Sequence, residues 1–270
     1  MLLRVRNFLF LLCLVSFAAC NSYERVLKSN DVNYKLTKAN QYYDKKKYAQ
    51  AIAVYENLIP VMKNTKNYEP LYYRYAWSYY HMKDYLSASY HFRNFVDFFP
   101  NSKDAEEMEY MHALALYNLS PKPSLEQTNT AKAMEAMQSF INTHPESKRL
   151  DEASKIVENA RRKMEVKYAD AAKLYYNIGH YKAASVSYKN LLREYPESAN
   201  ADFYQYQIVR SLYRYARRST PEKQEERYAS TVSAYQELVD TYPKSTYLRE
   251  AEKVYTQADN NIKQIRNEHE

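Results

Sequence analysis

The chain has 270 residues, enough for a sizeable core, with a single glycine, 31 tyrosines and two cysteines. One glycine leaves almost nothing for the phosphate loops, tight βα turns and hairpins that depend on positive φ, which argues against Rossmann, P-loop and most β folds. The formal net charge of +7 is spread along the chain without a dense Lys/Arg tract, a weak footprint for nucleic acid, so no nucleic-acid partner is expected.

Residues 1–19 read as a signal peptide. Arg4 and Arg6 form its basic start, Phe8 to Val15 its apolar stretch, and Ser16-Phe17-Ala18-Ala19 leads into Cys20. Small residues before a cysteine resemble a lipoprotein signal, in which Cys20 is lipidated and becomes the mature N-terminus. The plainer alternative is ordinary cleavage near Ala19. Loss of Arg4 and Arg6 leaves the mature chain near +5, and loss of Cys13 leaves Cys20 without a disulfide partner. Residues 20–33 read as the lipidated N-terminus and a polar tether.

A repeat governs the rest of the chain. Tyr85, Ala88, Phe92, Phe95 and Pro100 lie at positions 0, +3, +7, +10 and +15. The grid recurs at Tyr181, Ala184, Tyr188, Leu191, Pro196 and at Tyr228, Thr231, Tyr235, Leu238, Pro243. A weaker copy is Thr130, Ala133, Met137, Phe140, Pro145, and Tyr48, Ala51, Tyr55, Leu58 lacks the proline. Each proline is followed two residues later by Ser102, Ser147, Ser198 or Ser245. The 3–4 spacing is that of a helix face, and each copy is preceded by a second helical pattern. In three of these first helices an alanine (Ala39, Ala76, Ala172) sits nine residues before the next grid tyrosine. Close helix contact needs a small side chain there, and Tyr42, Tyr79 and Tyr175 at +3 are expected to fill the adjoining groove. Ala113 and Leu116 take the two slots in the third repeat.

In chain order, the first repeat turns at Lys45-Lys46-Lys47 and the second at Lys83-Asp84. The third carries a breaker, Ser120-Pro121-Lys122-Pro123-Ser124, expected as an exposed loop. Lys148 to Ile178 has no breaker and predicts one helix of about 45 Å, ended by Gly179. The fifth repeat has an extension at Arg217 to Pro221, and a capping helix runs from Tyr247 to about Ile265. The organisation expected is an N-terminal half over 34–147 with three repeats and a C-terminal half over 148–270.

This helix-turn-helix unit resembles the tetratricopeptide repeat (TPR), which implies an all-α TPR superhelix of about five repeats. Lipobox, repeat number, the endings Phe99-Pro100-Asn101-Ser102 and Tyr195-Pro196-Glu197-Ser198, and the long helix together resemble the BamD family of outer-membrane lipoproteins. The resemblance implies a non-enzymatic scaffold of the β-barrel assembly machine, anchored in the outer membrane and facing the periplasm. It would bind a BamA-like barrel protein through a POTRA domain, receive unfolded outer-membrane proteins, and join further assembly lipoproteins. It places Ser187 where relatives would carry an arginine facing BamA.

Candidate peptide-binding residues are Tyr43, Tyr72, Tyr73, Arg74 and Tyr80, because tyrosines stack on an extended aromatic peptide and an arginine takes its carboxylate. Tyr72 also fits the core grid. Candidate partner-interface residues are Tyr206, Arg210, Tyr213, Arg214, Arg217 and Arg218, a basic stripe with tyrosines on one helix; its alternative is a solvated face. No catalytic constellation, metal site or cofactor motif is present. A second function class stays open: a TPR lipoprotein serving another envelope process, such as cell-wall coordination or glycan capture.

Overall fold

The computed structural model describes residues 23–268; the signal segment 1–19 and Cys20 lie outside them. The described residues form helices joined by short turns: α1 (23–28), α2 (Val32–Asp44), α3 (Tyr48–Met62), α4 (Tyr68–His81), α5 (Tyr85–Phe98), α6 (Ala105–Asn118), α7 (Thr128–Thr143), α8 (Leu150–Asn177), α9 (Tyr181–Glu194), α10 (Ala201–Arg217), α11 (Pro221–Thr241) and α12 (Leu248–Asn267). In chain order α2 to α11 make five helical hairpins, and α12 packs on α10 and α11 as a cap. This is an all-α architecture of TPR-type repeats.

The grid residues make the core. Ala51, Tyr55, Leu58, Ala88, Phe92, Phe95, Ala133, Met137, Phe140, Ala184, Tyr188, Leu191, Thr231 and Leu238 are all buried. So are the first-helix alanines Ala39, Ala76, Ala113 and Ala172. The tyrosines that open three copies, Tyr48, Tyr85 and Tyr181, are only half-buried, as is Tyr235, which stacks on Tyr255 of α12 at 4.7 Å.

Within the first, second and fourth repeats, the turn is a Schellman motif. Lys46, Lys83 and Gly179 all have positive φ (57°, 61° and 83°). In each, that residue's N–H reaches back three residues, to Tyr43, Tyr80 or Tyr176. The next N–H reaches back five, to Tyr42, Tyr79 or Tyr175. These bonds satisfy the last helical carbonyls. Two lysines hold a conformation that suits glycine, at a cost of about 1–2 kcal/mol each.

Between repeats, proline and serine build the turn. Phe99, His144, Tyr195 and Tyr242 precede the prolines and leave the helical region, with φ between −125° and −131° and ψ near 60°, as a residue before proline must. The N–H of Ser102, Ser147, Ser198 and Ser245 closes a turn onto each of those carbonyls at 2.9–3.1 Å. Each serine hydroxyl then donates to a carboxylate on the first helix of its own repeat: Glu69, Glu106, Glu165 or Asp202, at 2.5–2.7 Å. The same oxygen accepts the N–H two residues on, at 3.0–3.2 Å. One serine thus pins the end of a repeat to its beginning and starts the next helix.

Three expectations need correction. Residues 23–33 are not a free tether: α1 forms there, Val26 is buried, and Tyr23 meets Tyr42 edge-on at 5.9 Å, because apolar side chains at 23, 26 and 27 share one face. Tyr175 does not fill a groove. It is exposed, because α8 turns only Ala172 inward at that level. The division of the chain falls inside α8 rather than at 147/148. One compact unit holds the described residues up to Pro121 together with Gln127–Ala160. The second holds Lys122–Glu126 and Arg161 onward, the Ser124 carbonyl accepting from Lys167 Nζ at 3.1 Å.

Candidate functional site

In the first unit, α2, α4 and α6 present a shared aromatic and charged face. The Arg74 guanidinium lies 5.3 Å from the centre of the Tyr43 ring and donates to Asp44 at 3.1 Å. Tyr73 donates its hydroxyl to Glu107 of α6 at 3.2 Å. Burial, then the Glu107 charge, pushes that hydroxyl up to about 12, so it stays a proton donor throughout the physiological range. Tyr80 accepts from Asn118 at 3.2 Å. Tyr43, Tyr73, Arg74 and Tyr80 are therefore brought onto one face.

Tyr72 is not among them. It is 4% exposed, and its hydroxyl shares a hydrogen bond with His91 Nδ1 at 3.0 Å and accepts from Asn94. Adjacent helical residues point about 100° apart, which sends Tyr72 inward and Tyr73 outward. Burial holds the His91 imidazole neutral, its pKa lowered to about 4.

Sequence reasoning missed Trp77. Its ring lies 6.2 Å from Tyr73, 5.5 Å from Tyr80 and 5.5 Å from His81, joining the predicted tyrosines into one row. The spacing 73, 77, 80 was the available signal. Its indole N–H is buried without a hydrogen-bond partner.

In the second unit, the predicted arginine stripe divides. Arg210 is sandwiched between the rings of Tyr176 (4.8 Å) and Tyr206 (5.6 Å). Tyr206 in turn stacks on Tyr247 at 5.3 Å. Tyr213 packs with Tyr228 at 5.8 Å in the cluster beneath α12. Arg214 and Arg217 are exposed, and Arg218 turns away to cover Tyr181 at 4.9 Å. Residues 210 and 218 are eight apart, about 80° around the helix, so a run of arginines in sequence does not make one patch.

A different surface stands out here. Leu174, Tyr175 and Ile178 of the α8 end and Val186 of α9 are large apolar side chains left exposed. Tyr175, Val186 and Tyr215 line a shallow hollow of about 600 Å³ with Ser187 among its walls. A second cavity of about 530 Å³ lies between α8 and α10, with Tyr188 of α9 among its walls. Among the described residues, no group of three or more His, Cys, Asp or Glu side chains is arranged to hold a metal, and no helix is long and apolar enough to cross a membrane.

The hairpins, their repeat-closing serines and these two aromatic surfaces define a helical-repeat protein of the TPR class. Residues 28–184 and 150–266 match the family model YfiO, described as "Outer membrane lipoprotein"; the chain belongs to this family, the BamD family. No curated protein matches it. Among solved structures it is similar to a TPR repeats protein from Bacteroides fragilis, at 15% identity over 87% of this chain and 100% of the other, with a TM-score of 0.42. It is also similar to the TPR2AB domain of yeast Sti1 in its pHSP90 complex, at 16% identity over 84% and 98%, with a TM-score of 0.37.

Proposed function

We propose that this protein is a non-enzymatic scaffold of outer-membrane β-barrel assembly, anchored through a lipid on Cys20 after loss of residues 1–19 and facing the periplasm. Membership of the outer membrane lipoprotein family carries this reading. Its second unit binds the POTRA domain of a BamA-like barrel protein. The exposed side chains of Tyr175 and Val186, which share the lining of the hollow, support that placement, since apolar side chains gathered on a surface mark interaction sites. Arg214 and Arg217 add charge to the same unit. Ser187 lies at the edge of the hollow, so the contact there is apolar rather than a salt bridge.

The first unit receives unfolded outer-membrane proteins. Tyr43, Tyr73, Trp77 and Tyr80 offer rings to an extended chain, and Arg74 exchanges its exposed partner Asp44, a weak surface pair, for the chain's carboxylate. Other assembly lipoproteins complete the complex. Glycan capture is less well supported. It needs a flat aromatic platform, whereas Trp77 meets Tyr80 at 79° and Tyr73 at 44°.

The test is co-purification from solubilised outer membranes with tagged mature protein, wild type beside Val186→Asp and beside Arg214→Glu/Arg217→Glu. The expected result is a barrel protein bearing POTRA domains that the wild type retains and Val186→Asp loses. Retention of no such protein by the wild type refutes the reading.

A further inference from the structure

The turns inside the first and second repeats lie side by side on one edge of the first unit. Tyr43 and Tyr48 flank the first turn, and His81 leads into the second. Tyr48 stacks on His81 at 4.7 Å, and Tyr43 lies 6.2 Å from it. Burial, then the Lys46 charge, lowers the pKa of His81, so that ring adds no charge at neutral pH. Lys45, Lys46, Lys47 and Lys83 are exposed along this edge. None of the four forms an ion pair among the described residues. The carboxylates beside them are engaged. Asp44 accepts from Arg74 at 3.1 Å, and Asp84 caps α5 by accepting the Ser87 N–H at 3.1 Å. Two large apolar side chains join the lysines, Met82 at 49% and Leu86 at 67% exposed.

Lys46 and Lys83 hold φ of 57° and 61°, where glycine would be free of strain. Strain kept at two neighbouring turns points to a use for the charge they carry. Lysine ammoniums are compact point charges without the fork by which arginine grips one carboxylate, which suits a field of phosphates. Exposed apolar side chains among cations are the pattern of a surface that rests on a bilayer. Cys20 is tethered beside this edge. Tyr23 of α1 meets Tyr42, three residues before Lys45, and the three residues from Cys20 to Tyr23 reach at most about 11 Å.

We propose that this edge rests on the anionic phospholipid headgroups of the leaflet that holds the anchor. Lys45, Lys46, Lys47 and Lys83 meet the phosphates, and Met82 and Leu86 enter the interface. The orientation rests on lipidation of Cys20 as read above; the lipid contact itself is tested without the anchor.

The experiment is vesicle co-sedimentation of the mature chain carrying Cys20→Ser, in about 0.1 M salt. Vesicles are phosphatidylethanolamine with phosphatidylglycerol, or phosphatidylcholine alone. The edge variant is Lys45→Gln/Lys47→Gln/Lys83→Gln. Its control, Lys189→Gln/Lys223→Gln/Lys244→Gln, removes the same charge from exposed sites of the second unit. Far-UV circular dichroism checks folding. Wild type should bind the anionic vesicles and not the neutral ones. The edge variant should bind at least about tenfold more weakly, since each lysine near such a surface contributes about fivefold. The control should stay within about twofold of wild type. Leu86→Cys, the single thiol in this background, carries a polarity-sensitive dye whose emission should shift to the blue on anionic vesicles. Equal loss in the two triple variants shows general charge attraction and overturns the proposal. So does equal binding to both kinds of vesicle, or an unshifted dye. No binding at all also overturns it and leaves the edge to an acidic protein. The mass of the native protein extracted from membranes reports acyl chains on Cys20 separately, so a missing anchor is not mistaken for a failed edge.

Discussion

Removing the hydroxyl at a repeat boundary should loosen the fold by a predictable amount. In Ser198→Ala two bonds are lost. One is the hydroxyl's donation to Glu165 at 2.5 Å, a charge-assisted bond with a net contribution of about 1.5–3 kcal/mol. The other is its acceptance of the Asn200 N–H at 3.0 Å, contributing about 0.5–1.5 kcal/mol. Glu165 keeps the Tyr204 hydroxyl at 2.8 Å, so the carboxylate is not stranded, and the site is only part-buried. Both facts pull the sum down, to a loss of about 1.5–2.5 kcal/mol. At this chain length that corresponds to a Tm lower by roughly 2–4 °C for each kcal/mol. The equivalent change Ser147→Ala breaks an exposed bond to Glu106 and the bond from the Arg149 N–H at 3.2 Å, and should cost about 1 kcal/mol or less. Ser230→Ala, whose hydroxyl only bonds back along its own exposed helix, serves as the control. Urea unfolding followed by circular dichroism measures all three. If Ser198→Ala matches the control, or Ser147→Ala costs as much as Ser198→Ala, the clip is not what closes the repeats.

The turns and the core set further expectations. Lys83→Gly should stabilise by about 0.5–1 kcal/mol, because φ of 61° is strained for lysine and free for glycine; urea midpoints test this, and destabilisation would contradict it. Gly179→Ala should destabilise by about 1–2 kcal/mol, since φ is 83° and a Cβ would meet Arg218 Nη1 at 2.8 Å, displacing it from Tyr181; a neutral urea result refutes this. Stability should also fall in mild acid. His91 titrates near 4 when folded against 6.5 when unfolded, so between those values the unfolded chain binds more protons, and stability rises with pH across that window. His91→Gln should flatten the slope there, and an unchanged slope would assign it to other groups.

The repeat, its buried alanines and the long helix were legible because a 3–4 spacing, a proline and a glycine act locally. The serines were visible as a pattern, but not their carboxylate partners. Those lie 33 to 43 residues away, a separation set by how each repeat folds back. The site was only partly legible for the same reason. Tyr73 and Tyr80 could be placed off the core stripe by helical angle alone. That Arg210 pairs with Tyr176 on another helix, or that Arg218 covers Tyr181, depends on how hairpins pack. Tyr175 read as filling a groove and is exposed, because periodicity reports which residues share a face, not whether a neighbour covers it.

The central claim is that the second unit carries a docking face for a POTRA domain. Isothermal titration of the purified mature protein with the membrane-proximal POTRA domain of the barrel protein from the same membrane tests it most directly. Binding in the micromolar range or tighter is expected, weakened about tenfold or more by Val186→Asp and unchanged by Arg74→Gln. An absence of heat and of any binding at about 100 μM, or an affinity that Val186→Asp leaves intact, contradicts it.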